Sequence, residues 1–189
     1  MPANRKLIRV IGMRPHQLVT DHLMMDAAVS NGCVVADVQR DVVKFAVIER
    51  HRGTGNIGLG FVCGLGLKRG AIASTVGHDS HNVSVIGVND RDMLVAAQAL
   101  ESCGGGQCAV CDGRVLALLP LPIAGLMSDQ PHLLIVQQQS ALHEATRSLG
   151  CPLPDPFMPL SFMSLAVIPS LKLTDRGVVD VDRFEIVAL

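Results

Sequence analysis

The sequence contains no tryptophan and no tyrosine, and only five phenylalanines. Aromatic platforms on which unpaired bases could stack are therefore scarce. Basic charge is not in excess either. Sixteen Lys and Arg face seventeen Asp and Glu, for a formal net charge of −1. Without clustered cations there is no electrostatic drive toward a phosphate backbone, so nucleic acid is excluded as a partner. Long hydrophobic runs are missing as well. The longest, Val115 to Met127, is interrupted by Pro120, Pro122 and Gly125, and it falls short of the ~20 residues that cross a bilayer. Met1 to Arg9 is basic but lacks the apolar core and cleavage site of a secretory leader. No membrane partner is expected, and the chain reads as cytoplasmic. Internal repeats and low-complexity linkers are absent too.

What is present is apolar. Hydrophobic residues make up 49% of 189 positions and charged residues 17%, which is the composition of one globular domain, residues 1–189, with a core of its own. Six cysteines (33, 63, 103, 108, 111 and 151) raise the question of a disulfide framework. A chain of this size needs no such staples. Cys108-Ala109-Val110-Cys111 has the spacing of a zinc or redox pair. On a strand, however, residues three apart face opposite sides, so these thiols are expected to diverge into apolar surroundings.

Periodicity and turn signals place the elements. Leu7 to Ile11, Val42 to Ile48, Ala71 to Val76 and Val83 to Val88 read as strands, the second as a buried β-branched run. A short helix is expected over Leu59 to Leu65. Asn89-Asp90 caps a helix reaching Ser102, and the glycines at 104 to 106 end it. Gln107 to Cys111 and Val115 to Leu119 form a hairpin about Asp112-Gly113. Pro131 opens a helix that ends near Gly150. Leu160 to Val167 is expected to be helical, and Phe184 to Val187 is a last strand. This order is not a β-α-β alternation. It predicts an α+β fold, a mixed or antiparallel β-sheet layered with α-helices on its faces.

The densest polar chemistry lies between Glu49 and Asn82. It comprises Glu49-Arg50-His51, Thr54-Gly55-Asn56, Lys68-Arg69-Gly70 and His78-Asp79-Ser80-His81-Asn82. Arg50 is placed to pair with Glu49 or another acid, or to sit at a solvated strand end. Thr54-Gly55-Asn56 either presents backbone N–H groups to an anion or purine edge, or is a plain turn. Lys68-Arg69 reads as a surface charge pair. Three readings stand for His78, Asp79 and His81: a polar turn held by its own hydrogen bonds, a loop lining a cleft, or a metal site.

Several segments together resemble the C-terminal region of adenine deaminases of the amidohydrolase superfamily. They are the Glu49–Asn82 block, Leu119 to Ser128, Asp155-Pro156-Phe157-Met158, Leu160-Ser161-Phe162 and Leu171 to Gly177. The resemblance runs in unbroken order from about Ile8 to Leu189. It implies hydrolysis of adenine to hypoxanthine and ammonia by a metal-bearing (β/α)8 barrel, with a divalent ion (manganese, iron or zinc) activating water. Such barrels open their metal site with two histidines two apart on a strand. The histidines here, at 16, 22, 51, 78, 81, 132 and 143, contain no such pair, and ~250 residues of barrel do not fit in this length. The expected cofactor in this chain is none, and the expected partner is an amidohydrolase barrel in cis or in trans, with homo-oligomerisation left open.

Two function classes follow. In the first, the chain is the accessory C-terminal domain of an adenine deaminase, inactive alone, with His78, Asp79, His81, Glu49, His51, Thr54 and Asn56 lining the cleft against the barrel. In the second, it is a free-standing purine-binding or self-associating module. A third option is a metal hydrolase using His78 and His81.

Overall fold

Short apolar runs, the central ones buried on both faces, fill the first half of the chain and assemble into one large sheet. In the computed structural model, which describes residues 6–189, the strands in chain order begin with β1 (Leu7–Met13), β2 (Thr20–Asp26), β3 (Val29–Ser30) and β4 (Cys33–Val34). There follow β5 (Val42–Ile48), β6 (Ile57–Cys63), β7 (Ala71–Ser74) and β8 (Val83–Gly87). Helix α1 (Asp90–Ser102) precedes a hairpin of β9 (Gly106–Cys111) and β10 (Arg114–Pro120). After it come α2 (His132–Ser148), α3 (Phe157–Phe162), β11 (Leu171–Thr174), β12 (Gly177–Asp180) and β13 (Glu185–Val187).

The large sheet has eight strands in the order β10-β9-β7-β8-β5-β6-β1-β2, and β11-β12-β13 form a separate small sheet. Only the β1–β6 pair of the large sheet is parallel. The fold is thus α+β with a mixed sheet, as the element order predicts. Alternation sorts the side chains onto two faces. Val43, Phe45, Val47, Ile72, Ile86 and Ala109 pack against Leu142 of α2, against Leu149 at its C-terminal cap and against Leu171, Leu173 and Val178 of the small sheet. Ala46, Ala73, Val85, Cys108 and Val110 lie beneath Met93, Ala96 and Leu100 of α1. The two thiols of Cys108-Ala109-Val110-Cys111 therefore enter opposite clusters, as strand geometry requires. Desolvation pushes the Cys108 thiol up to about 12. All six cysteines are free.

Local signals work where they are strong. Asn89 Oδ1 accepts from the Asp92 N–H at 2.8 Å and starts α1. The hairpin turn places Asp112 and Gly113 at φ 53° and 73°, the left-handed pair that a two-residue turn needs. The turn is tied to α1 because Gly113 N–H donates to the buried carboxylate of Asp92 at 2.7 Å.

Two segments differ from the sequence reading. The helix expected over Leu59 to Leu65 is strand β6. Its Gly58 and Gly60 sit under the small sheet; at Gly58 a side chain would collide with the backbone of the turn between β11 and β12, so that glycine marks a close approach. The helix expected over Leu160 to Val167 is shifted to α3, which begins where Asp155 Oδ1 accepts from the N–H groups of Phe157 and Met158. Lys172 is fully buried, and its Nζ donates to Leu18 O at 2.9 Å. Desolvation brings its ammonium down to about 8. No helix among the described residues is long and apolar enough to cross a membrane.

Candidate functional site

Register places the polar loops at one end of the large sheet. Ile48 pairs with both Ile57 and Val83, and Ser74 pairs with Gln107. The connections 49–56 and 75–82 therefore leave the sheet side by side, next to the glycines that precede β9. From the small sheet, the turn between β11 and β12 brings Asp175 and Arg176 to the same end. A cavity of about 570 Å³ opens among Glu49, His51, Arg52, Thr54, Asn56, Ser80, Asn82, Asp175 and Arg176. Lys68 and Arg69 lie at the opposite end, where Arg69 donates to Ser148 O.

Glu49 fastens the first loop. Its Oε1 accepts from the N–H groups of His51 and Arg52 at 2.5 and 2.7 Å, and its Oε2 from the N–H and hydroxyl of Thr54 at 3.0 and 3.1 Å. The Thr54 hydroxyl oxygen in turn accepts from the Asn56 N–H at 3.2 Å. The N–H groups of Thr54 and Asn56 are thus used within the loop and are not offered to a ligand. Led by the Thr54 N–H, these donors hold the Glu49 carboxyl down to about 2. A carboxylate that acidic is a poor proton acceptor at neutral pH, so Glu49 holds the loop and is not a general base.

The sign of the linkage gives a test. Because the folded carboxyl titrates below the unfolded one, its contribution is complete above ~4.3 and is lost as pH falls through about 2. Glu49→Gln removes one acceptor oxygen and points an amide donor at backbone donors. The amides of His51, Arg52 and Thr54 are expected to exchange hydrogen roughly tenfold faster in that variant, with little further acceleration on acidification. Unchanged exchange would show that the carboxylate does not hold the loop.

The second loop is held from outside. Arg50 Nε donates to His81 O at 2.6 Å, and its Nη2 donates to Ala124 O at 2.5 Å. Of the two readings of Arg50, the acid partner is corrected and the freely solvated strand end does not describe it either: two carbonyls take its protons, and its burial lowers its pKa. His51 Nε2 lies 2.7 Å from Ser80 O, so that nitrogen carries the proton. His81, at φ 49°, accepts the Gly77 N–H on Nδ1 at 3.2 Å. Desolvation, together with nearby His78 and Arg50, keeps its pKa low. His78 stacks on Phe162 with ring centroids 4.7 Å apart, and its N–H donates to Ser161 O at 2.7 Å. Asp79 is exposed, 3.7 Å from His78 Nδ1. Among the described residues, no group of three or more His, Cys, Asp or Glu side chains converges as a metal set. The His78 and His81 rings are 6.1 Å apart, and His81 Nδ1 is already engaged. These residues do not fit a divalent ion.

Asp175 completes the wall. Its carboxylate receives Asn56 Nδ2 at 3.3 Å and Asn82 Nδ2 at 3.4 Å, while Asn82 Oδ1 is buried without a partner. Sequence reasoning singled out Glu49, His51, Thr54 and Asn56 and the block reaching Asn82 but missed Asp175 and Arg176, and the cavity is lined by neither His78, Asp79 nor His81. Leu171 to Gly177 entered the sequence reading only through the family resemblance, and nothing local states that its Asp175 folds back across more than 90 residues onto Asn82.

The Adenine deaminase C-terminal domain family matches residues 17–185 of this chain. The chain belongs to that family. It is 56% identical over 182 residues to the adenine deaminase of Oleidesulfovibrio alaskensis, covering 96% of this chain and 32% of that relative. It is 51% identical to the adenine deaminases of Moorella thermoacetica and Brucella abortus, each over 98% of this chain and 31% and 32% of the relative. The chain thus spans about a third of the length of the curated relatives it matches. Among adenine deaminases this segment is the C-terminal portion, fused to a larger part.

Proposed function

We propose that this chain works as the C-terminal part of a cytoplasmic, metal-dependent adenine deaminase that converts adenine and water to hypoxanthine and ammonia. Its loop end lines the cleft of a catalytic barrel joined in cis or supplied in trans. The observation that carries this reading is the coverage: nearly the whole chain matches, against only a third of each relative. In this reading the metal ion (manganese, iron or zinc) belongs to the barrel. This chain's own residues have positioning work. Arg50 and His51 hold the 75–82 loop by its carbonyls, and the half-exposed His78 and exposed Asp79 face outward from it. Against a barrel mouth, such a loop orients the purine and limits the entry of water. Six free thiols suit a reducing compartment.

Ammonia release from adenine tests this reading. The isolated chain, supplied with manganese, iron or zinc, is expected to show no turnover. The Oleidesulfovibrio alaskensis enzyme carrying this chain in place of its matching segment is expected to be active. Turnover by the isolated chain, or a chimera that is inactive although its parent works, would count against it.

A further inference from the structure

From Val115 to Ala141 the only formally charged residue is Asp129. That stretch includes β10, the connection after it and the first half of α2, much of which lies on the surface. Ile123, Met127, Leu133, Leu134 and Val136 are 45%, 57%, 65%, 38% and 55% exposed. Helical spacing explains why α2 cannot hide them. Ile135, Leu142, Ala145 and Leu149 already fill the inward stripe, so Leu133 and Val136, three apart, lie together on another face. Depletion of charge with clustered aliphatic exposure is the composition of an interface core, not of a solvated helix.

The location is as informative as the composition. β10 runs toward the loop end, where Pro120 pairs with Gly106, and α2 starts there. The Ile123–Met127 connection is bonded to the polar loops twice. Arg50 donates to Ala124 O, and the Thr75 hydroxyl donates to Gly125 O at 2.6 Å. The apolar patch and the loops carrying His51, His78 and Asp79 thus form one continuous end of the molecule.

We infer that Ile123, Met127, Leu133, Leu134 and Val136 are the anchor on which the larger, catalytic part of the enzyme docks, beside the loop end. The inference rests on the functional reading above and adds where the two parts meet. The occupant follows from the relatives, in which this segment is joined to about twice its own length of further chain. A body seated on the apolar anchor necessarily overhangs the adjoining polar loops.

The active chimera described above provides the test. Leu133→Glu with Val136→Glu, and separately Met127→Glu, place charge on the anchor. Each is expected to lower ammonia release by more than about tenfold and to expose the joint to trypsin, because buried apolar anchors dominate interface energy. In the isolated chain, the same substitutions are expected to leave the melting temperature within about 2 °C, since these side chains are already in solvent. Full activity and unchanged protease resistance in the substituted chimeras would overturn the docking site while leaving the functional reading intact. So would an isolated chain that is a dimer broken by these substitutions alongside an unaffected chimera, which would make the occupant a second copy. A chimera inactive before any substitution would overturn the functional reading and the docking site together.

Discussion

Gly58→Ala is expected to be the most damaging single methyl that can be added near the site. A Cβ at Gly58 would meet Thr174 O at 1.8 Å, Thr174 C at 2.9 Å and Gly177 N at 3.2 Å. All three are backbone atoms of the turn between β11 and β12, so no side chain can swing aside. Thr174 and Gly177 are paired across that hairpin, which ties the turn to Leu173 and Val178 in the core. The small sheet must therefore lift off β6. Overpacking of this kind costs roughly 3 kcal/mol, equivalent to a melting temperature lower by about 6–12 °C in a chain of this size. The same lift carries Asp175 away from Asn56 and Asn82, whose contacts of 3.3 and 3.4 Å are already long. Gly60→Ala is the control. Its Cβ would find only side-chain carbons at 3.4 Å and beyond, so stability within about 1 kcal/mol of the parent is expected. Equal melting curves for the two variants would contradict the seating of the small sheet on β6.

Arg50→Met is expected to release the 75–82 loop without unfolding the chain. The guanidinium joins three segments: the end of β5, the loop through His81 O and the connection after β10 through Ala124 O. Gly125, at φ 72°, lies so close to Arg50 Nη2 that a Cβ there would stand 2.5 Å from it, which is why glycine is needed at that point. Charge-assisted bonds contribute on the order of 1.5–3 kcal/mol each when shielded, but this group is only part-buried. A loss of about 1–2 kcal/mol is therefore expected in urea unfolding. Activity should respond more strongly, because a loosened loop no longer presents His78 and Asp79 in a fixed place. In the chimera, kcat is expected to fall by about 10- to 100-fold. Arg50→Lys should rescue little, since a single ammonium cannot fork between two carbonyls on separate segments. A chimera with wild-type kcat after Arg50→Met would remove the loop from the functional account.

Legibility in the sequence followed how local each signal was. The strand Val42–Ile48, the Asn89 cap and the Asp112-Gly113 turn are set by neighbours within a few residues, and the structure places all three where they were expected. Strand β2, Thr20-Asp21-His22-Leu23-Met24-Met25-Asp26, was not recognised. It is an edge strand with a half-exposed pattern, so its polar composition hides the period. The alternating glycines of β6 misled for a different reason. They serve contact with the small sheet, and the partner responsible lies more than 100 residues away.

The sequence by itself determined the class of fold, the run from Val83 through α1 and the β9–β10 hairpin to α2, the divergence of the Cys108 and Cys111 thiols and the crowding of polar residues between Glu49 and Asn82. Each of these depends on residue type and short spacing. Only the tertiary structure decided what those polar residues do. Glu49, expected to line a cleft, is consumed by the donors of its own loop. Arg50, which reads as half of an ion pair or as a solvated strand end, clasps carbonyls from two distant segments. Asp175, for which the sequence offered no role, completes the cavity wall. A hydrogen bond goes to whichever acceptor the fold brings within about 3 Å, and that is settled by how strands register across the sheet, not by which residues adjoin in the chain.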